Sequence, residues 1–426
     1  MVPAQPLKIV MPAQNILALD GGGSWAILQA QALGELYGYD TPGQTILGKF
    51  TLAAANSGGS IVLAGLVLNW TPRDLINQLN DQNLRDKIFV KNFFHLPDLE
   101  RYRAPDKLNG LRAVFHQAPA GRFADLPLDQ IHPPCRLLVA AFNYDRSRAE
   151  FFRSDTSSPA AAAAGSPPAT LAEAVHASTN APLKYFDAPA ELSRRAHAGC
   201  RYWDGAMAGF NNPVMAAITE AMAYGIAPAD LRVLSIGTGN VFLPMPDPLP
   251  SPGASGQNHL CVQICDDGVM RDLALVASTI LDDPPDSASF IAHLLVSGAG
   301  AVSQDPGRPV TNGNLVRLNP WIQPVGKPGN WRAPSLVAHA PDARMTPANS
   351  VPQNYPTDDA AFDALVNLDM DAVEQSEVDL ITALGRSWIA GDTPNQAIRA
   401  NRDLRPLIGH GRFSEAVARA QAIGLV

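Results

Sequence analysis

The chain of 426 residues carries 32 lysines and arginines against 40 aspartates and glutamates, a formal net charge of −8, with 46% hydrophobic and 17% charged residues. That composition belongs to a folded globular chain, long enough for one large domain or two ordinary ones. The acidic balance argues against a nucleic-acid partner, which needs a concentrated basic surface. It also argues against electrostatic docking on anionic membranes, while leaving apolar contact with a lipid surface open.

In chain order, Met1 to Gln14 lacks an apolar core of signal-peptide length, and no later run reaches the ~18 apolar residues of a transmembrane helix. A soluble cytoplasmic protein, with or without peripheral contact at membranes, is therefore expected. Ile16 to Leu19 is a short apolar run that stops at Asp20 and a glycine cluster, which predicts a strand. Leu28, Ala32 and Leu36 recur four apart and predict a helix from about Trp25 to Tyr37. Phe50 to Ala55 predicts a second strand, followed by a small-residue turn and an apolar helix from Ile61 to Leu68. Thr71-Pro72 has the form of an N-cap with proline at the first helical position. Arg136 to Phe142 and Leu231 to Ile236 predict further strands, the latter ending in Gly237-Thr238-Gly239.

Short apolar strands that end in glycine-rich turns and alternate with helices predict an α/β fold with a mainly parallel sheet. Thr156 to Pro168, rich in Ser, Ala and Pro, reads as an exposed insertion, and Pro244 to Gly256 as a proline-rich loop. From Pro320 to Pro356 proline is frequent and little is periodic. The tail from Asp358 is helical, with Phe362, Leu365 and Leu368 on one face and Ala383, Trp388 and Ile389 on another. The expected organisation is an α/β domain over 1–320, then a proline-rich connection and helical C-terminal region over 321–426 packing on it. The four cysteines, Cys135, Cys200, Cys261 and Cys265, fit free thiols in a reducing compartment, and one CxxxC spacing is a poor zinc signature.

Three segments carry chemistry. Ala55-Asn56-Ser57-Gly58-Gly59-Ser60 lies at a strand-to-helix junction. A nucleophilic serine needs a sharp turn there with small residues two positions to either side, the usual pattern being G-x-S-x-G; here it is Ala55-x-Ser57-x-Gly59. The bland alternative is an ordinary Gly-Gly turn at a helix start. Asp20-Gly21-Gly22-Gly23-Ser24 follows the first strand, and three glycines before a helix let backbone N–H groups converge on one anion, a phosphate or an oxyanion. Tyr202-Trp203-Asp204-Gly205-Ala206 holds an aspartate in a tight turn, more often a turn former than a base. Asn211-Asn212-Pro213 follows it, with Asn212 as cap and Pro213 as first helical residue.

In this order the three segments resemble the patatin-like phospholipase family, with its DGGG loop, G-x-S-x-G elbow and D-G-G/A turn before N-N-P. Ala177-Ser178-Thr179-Asn180-Ala181-Pro182 with Tyr185-Phe186, Leu234 to Gly239, Val316 to Pro320, and Asp369-Met370-Asp371 are weaker echoes. Together they extend the similarity from about Ile16 to about Ile389. The resemblance implies a three-layer α/β/α fold and a Ser57–Asp204 dyad without a triad histidine. Ser57 would attack an acyl carbonyl with Asp204 as its base, and N–H groups of Gly22, Gly23 and Gly58 would hold the oxyanion. It further implies a lipid ester substrate of the phospholipase A type, an acyl-enzyme, contact with a membrane or micelle during turnover, and no metal or cofactor. His176, His293, His339 and His410 sit in no motif and are expected to be surface or core residues.

The sequence departs from the family pattern in two places. Ala55 replaces the first glycine of the elbow. Ser24-Trp25-Ala26 stands where the family's loop continues to a basic residue and glycine, which bears on how the loop is braced or a phosphate head group is met. Two other readings stay open at this level. A non-catalytic lipid- or protein-binding member would keep the fold. A nucleotide-dependent kinase of the actin and hexokinase type would use Leu17 to Ser24 as a phosphate loop, but the second phosphate loop and metal-binding acid it needs cannot be placed.

Overall fold

The computed structural model describes residues 14–91, 101–155, 157, 169–182, 185–192, 200–241, 284–298, 310–322, 325–327, 330–332, 359–396 and 408–426. The expected insertion at 156–168, apart from residue 157, the loop at 244–256, and Cys261, Cys265 and His339 lie outside these residues.

Five parallel strands form the middle of the molecule: β1 (Gln14–Leu19), β2 (Leu52–Ala55), β3 (Arg136–Asn143), β7 (Leu231–Ile236) and β9 (Leu315–Leu318), in spatial order β3-β2-β1-β7-β9. An antiparallel margin extends the sheet beyond β3, through β4 (Arg148–Arg153), β5 (Ala190–Glu191) and β6 (Arg201–Asp204). Alternate residues of the strands feed two cores. Leu17, Leu19, Ala53, Ala55, Val139 and Ile236 face α1 (Ile27–Tyr37), α3 (Ser57–Val67), α6 (Ala104–Phe115) and α7 (Leu171–Ser178). Ile16, Ala18, Leu52, Ala54 and Val233 face α8 (Val214–Ala223) and α9 (Pro284–Ser297). This is the three-layer α/β/α arrangement, and burial on both faces explains why the strands read as continuous apolar runs. The sequence Leu-Ala-Ala-Ala of β2 has weak strand propensity of its own; pairing with β1 and β3 fixes it.

The expected elements appear with informative shifts at their edges. The helix after β2 starts at Ser57 rather than Ile61, because Gly58 and Gly59 are held in its first turn by packing and not by propensity. A 3-10 turn, Gly23–Ala26, precedes α1. Thr71 and Asp74 form a complete capping box on α4 (Pro72–Asn80). α8 starts at Val214, one residue later than expected, which puts Pro213 at the N-cap position and Asn212 just before it, where its Oδ1 accepts the Val214 N–H at 3.0 Å. The proline-frequent region holds short strands, β10 (Trp321–Ile322), β11 (Val325–Lys327) and β12 (Asn330–Arg332), too short to show a period. β10 pairs with β8 (Asn240–Val241). The C-terminal helices are α10 (Asp359–Val366), α11 (Gln375–Ala390) and α12 (Phe413–Ala422). Phe362, Leu365, Val378, Ile381 and Leu384 share one cluster with Trp25, Ile27 and Leu28, which joins α10 and α11 to the helix that leaves the glycine loop.

Pairing aligns Leu19, Ala55, Ile236 and Leu318 across the sheet, so β1, β2, β7 and β9 end along one edge. Loops leaving that edge, where open parallel sheets present their ligand sites, include the glycine loop and the Ser57 turn.

Candidate active site

Asn56 ends the extended backbone of β2, and Ser57 turns it sharply with a left-handed φ of 47°. A non-glycine residue there costs roughly 1–2 kcal/mol, strain of the kind that collects at functional sites. Two contacts hold the turn: the Ser57 N–H donates to Ser178 Oγ at 2.9 Å, and Ser60 Oγ donates to the Ser57 carbonyl at 2.6 Å. Ala55 is the buried last residue of β2, where extended backbone accepts a methyl group, so its departure from glycine is structurally mild. Gly58 and Gly59 have no such freedom. A side chain at Gly59 would strike the carbonyls of Leu19 and Asp20, and one at Gly58 the backbone of Gly23.

Asp204 ends β6, 3% exposed. Its Oδ1 accepts Asn56 Nδ2 and the Ala206 N–H, each at 2.9 Å, and the Ser57 side chain lies close enough to the carboxylate to favour its charged form. Burial pushes the Asp204 carboxyl above its ordinary range, opposed by these hydrogen bonds and by the charge of Lys107. Gly205 allows the close approach, since a Cβ there would meet the Asn56 amide and Ala140. The structure thus brings Ser57 and Asp204 together across 147 positions of sequence.

The glycine loop lies against the same turn. Gly21 packs on Asn211, Asn56 and the Cβ of Ser57. Its N–H donates to the Asn211 carbonyl at 2.8 Å, and its carbonyl accepts Thr238 Oγ1 at 2.6 Å. The N–H groups of Gly22 and Gly23 have no acceptor among the described residues, and that of Gly58 lies in the first turn of α3, where none is available within the helix. These donors and the positive end of α3 can stabilise a developing oxyanion.

Trp25, in the place of the family's basic residue, has a bracing role. Its Nε1–H donates to the Asp369 carbonyl at 3.1 Å, and the Ser24 N–H donates to the Met370 carbonyl at 2.9 Å. A segment more than 340 residues downstream therefore holds the outer side of the loop. Trp25→Phe, which removes one hydrogen bond and keeps most of the packing, is expected to cost about 1 kcal/mol, read as a lower urea midpoint at unchanged slope.

Beneath the loop, Asp20 pairs through Oδ2 with Arg317 of β9, both side chains under 5% exposed. Arg317 also donates to Ser235 Oγ at 2.8 Å. Burial raises the Asp20 carboxyl, and the guanidinium acts against that rise. Residues 176–180 tie the parts together: Ser178 holds the Ser57 backbone, and the Asn180 carbonyl accepts the Asp204 N–H at 2.9 Å. Lys107, on α6, donates to Asn180 Oδ1 at 2.7 Å and to the His176 carbonyl at 3.0 Å. Neither Lys107 nor the bracing role of Trp25 carries a sequence signal; Ser178, Asn180 and Arg317 stand in the weaker echoes, which assign them no role. His176, His293 and His410 are buried, and burial drives the His176 and His410 rings toward the neutral form. Among the described residues, no group of three or more His, Cys, Asp or Glu side chains is arranged to hold a metal ion, and no helix is long and apolar enough to cross a membrane.

Residues 17–218 match the family model described as patatin-like phospholipase, a span that contains the glycine loop, Ser57, Lys107 and Asp204. No match is found among curated proteins. Among solved structures, VipD from Legionella pneumophila is similar at 11% identity and a TM-score of 0.37, over 97% of this chain and 75% of that one. ExoU of the type III secretion system of Pseudomonas aeruginosa, solved in complex with SpcU, is similar at 14% identity and a TM-score of 0.23, over 39% of this chain and 38% of that one.

Proposed function

We propose that this chain, whose residues 17–218 match the family model described as patatin-like phospholipase, is a serine acyl hydrolase that cleaves carboxylic esters of lipids through a Ser57–Asp204 dyad. The family match supports lipid acyl hydrolysis in general; the observation that carries the dyad is Ser57, on a strained left-handed turn, beside the buried Asp204 carboxylate, which its neighbour Asn56 hydrogen-bonds at 2.9 Å.

In this mechanism Ser57 Oγ attacks the acyl carbonyl and gives its proton to Asp204. The N–H groups of Gly22, Gly23 and Gly58 receive the oxyanion. Collapse of the tetrahedral intermediate breaks the ester bond, the leaving alcohol takes the proton back from Asp204, and the acyl group remains on Ser57. Water, deprotonated by Asp204, then attacks the acyl-enzyme and releases the fatty acid with Ser57 restored. Exposed Met207, three residues past Asp204, supplies apolar surface beside the site for contact with a lipid aggregate.

The test is labelling with a fluorescent fluorophosphonate, with the modified residue mapped by peptide mass spectrometry. Label on Ser57 is expected; no label, or label elsewhere, would overturn the dyad and return the chain to a binding role. The pH profile provides a second check. Asp204 must be ionised to act as base, and burial raises its pKa, so kcat/KM rises with pH through a value above the ordinary ~3.9 of an aspartate. An acid limb at or below that ordinary value in p-nitrophenyl ester hydrolysis would remove Asp204 from the role.

A further inference from the structure

Lys107 is a polar residue in an amphipathic helix, yet it is fully buried. Its Nζ donates to two neutral acceptors, the His176 carbonyl and Asn180 Oδ1, and lies 4.0 Å from the centre of the Phe186 ring. Among the described residues no carboxylate stands within ion-pair distance of it. Burying an ammonium without a paired counter-charge costs several kcal/mol, and two carbonyl acceptors could be served by a neutral amide. The hydrogen bonds alone therefore do not account for a charge at this position.

The surroundings do account for it. The charged and titratable groups facing Lys107 are Asp204 and His176: burial pushes the Lys107 ammonium well below its ordinary pKa, the charge of Asp204 acts against that fall and favours the ammonium, and burial keeps the His176 ring neutral. Glu173, on the same helix as His176, is turned instead to the Thr170 N–H at 2.9 Å and to Arg112 at 3.8 Å. Seen from Asp204, Lys107 is the charged group that bears on it. The two are also joined through one residue, because the Asn180 side chain accepts from Lys107 while its backbone carbonyl accepts from the Asp204 N–H.

We propose that Lys107 is a positioning residue for the base, its buried ammonium steadying the Asp204 carboxylate through space and through Asn180. The inference rests on the dyad reading above. Its consequence has a definite sign. A nearby cation favours the charged carboxylate, so without it Asp204 takes up a proton at higher pH and the base is lost earlier on acidification.

The experiment compares the pH dependence of the fluorophosphonate labelling rate in wild type, Lys107→Gln and Lys107→Met, with folding checked by circular dichroism and a single cooperative unfolding transition. Glutamine keeps a donor for His176 and Asn180, whereas methionine keeps only the length. The acid limb is expected to move upward by about half a pH unit or more in both, as loss of a charge acting through protein should do. An acid limb that stays in place in a folded variant would overturn the inference. Loss of folding in both variants would overturn it too, by assigning the lysine to structure. Wild type that does not label at Ser57 would overturn the dyad and this inference with it, whereas a labelling wild type with an unmoved limb removes only the inference.

Discussion

Ser57→Ala is expected to lower ester hydrolysis by a factor on the order of 10⁴ to 10⁶, the scale seen when the nucleophile of a concerted catalytic group is removed. The size follows from where the hydroxyl sits. It lies beside the buried Asp204 carboxylate, and the glycine loop packs against its Cβ, so the hydroxyl is held in one place by its surroundings. Asp204→Asn is expected to fall nearly as far, since the amide still accepts a hydrogen bond but cannot take the serine proton. Combining the two should cost little more than either alone, because each already removes the unit. Stability separates this reading from a structural one. Ser57→Ala keeps the left-handed strain at position 57 and is expected to stay within about 1 kcal/mol of wild type. Ser57→Gly relieves it and is expected to be inactive yet about 1 kcal/mol more stable. A Ser57→Gly protein less stable than wild type in urea would show that the turn is held for some purpose other than presenting the hydroxyl.

What the sequence made legible follows from the range of the forces involved. β1, β2, β3 and β7 announce themselves because strands buried on both faces are short apolar runs, and the turns that end β1 and β7 need glycine. The proposed Ser57–Asp204 pair is legible because each residue sits in a local turn with strict space requirements, and Gly58, Gly59 and Gly205 record those requirements in the chain. β4 and β6 are polar or aromatic strands on the antiparallel margin, and β5 is two residues long, so no period marks them. Ser24-Trp25-Ala26 is visible in the sequence only as a missing basic residue. That the indole reaches the Asp369 carbonyl depends on how α10 and α11 pack on α1, which no local pattern records. Lys107 is hidden for a related reason: a lysine on a partly polar helix face is ordinarily solvated, and His176, Asn180 and Phe186, brought in from other parts of the chain, make this one internal.

Arg317→Ala is expected to destabilise the protein by about 3–5 kcal/mol near neutral pH, the cost of leaving one member of a buried ion pair behind. Asp20 follows β1 immediately, before the glycines, and Arg317 lies on β9, two strands away across β7, so the pair spans the edge from which the glycine loop leaves. Among the described residues Asp20 Oδ1 has no hydrogen-bond partner, so loss of the guanidinium leaves the carboxylate short of both charge and donors. In the variant, burial acts unopposed and Asp20 titrates further above its unfolded value. A carboxyl with a raised folded pKa supports the fold below its unfolded pKa and loses that support as pH rises through the folded one. The gap between wild type and Arg317→Ala should therefore be widest at neutral pH and narrow as Asp20 becomes protonated. Urea unfolding across the acid range measures this, and a gap independent of pH would mean that lost packing, not the stranded carboxylate, sets the cost. The doubly substituted Asp20→Asn, Arg317→Met protein removes both charges at similar volume and is expected to recover most of the stability. Its labelling rate at Ser57 then shows whether the pair also holds the glycine loop: a stable protein that labels slowly would assign the ion pair to the geometry of the oxyanion donors, and one that labels at the wild-type rate would leave that geometry to Asn211, Thr238 and the Asp369–Met370 brace.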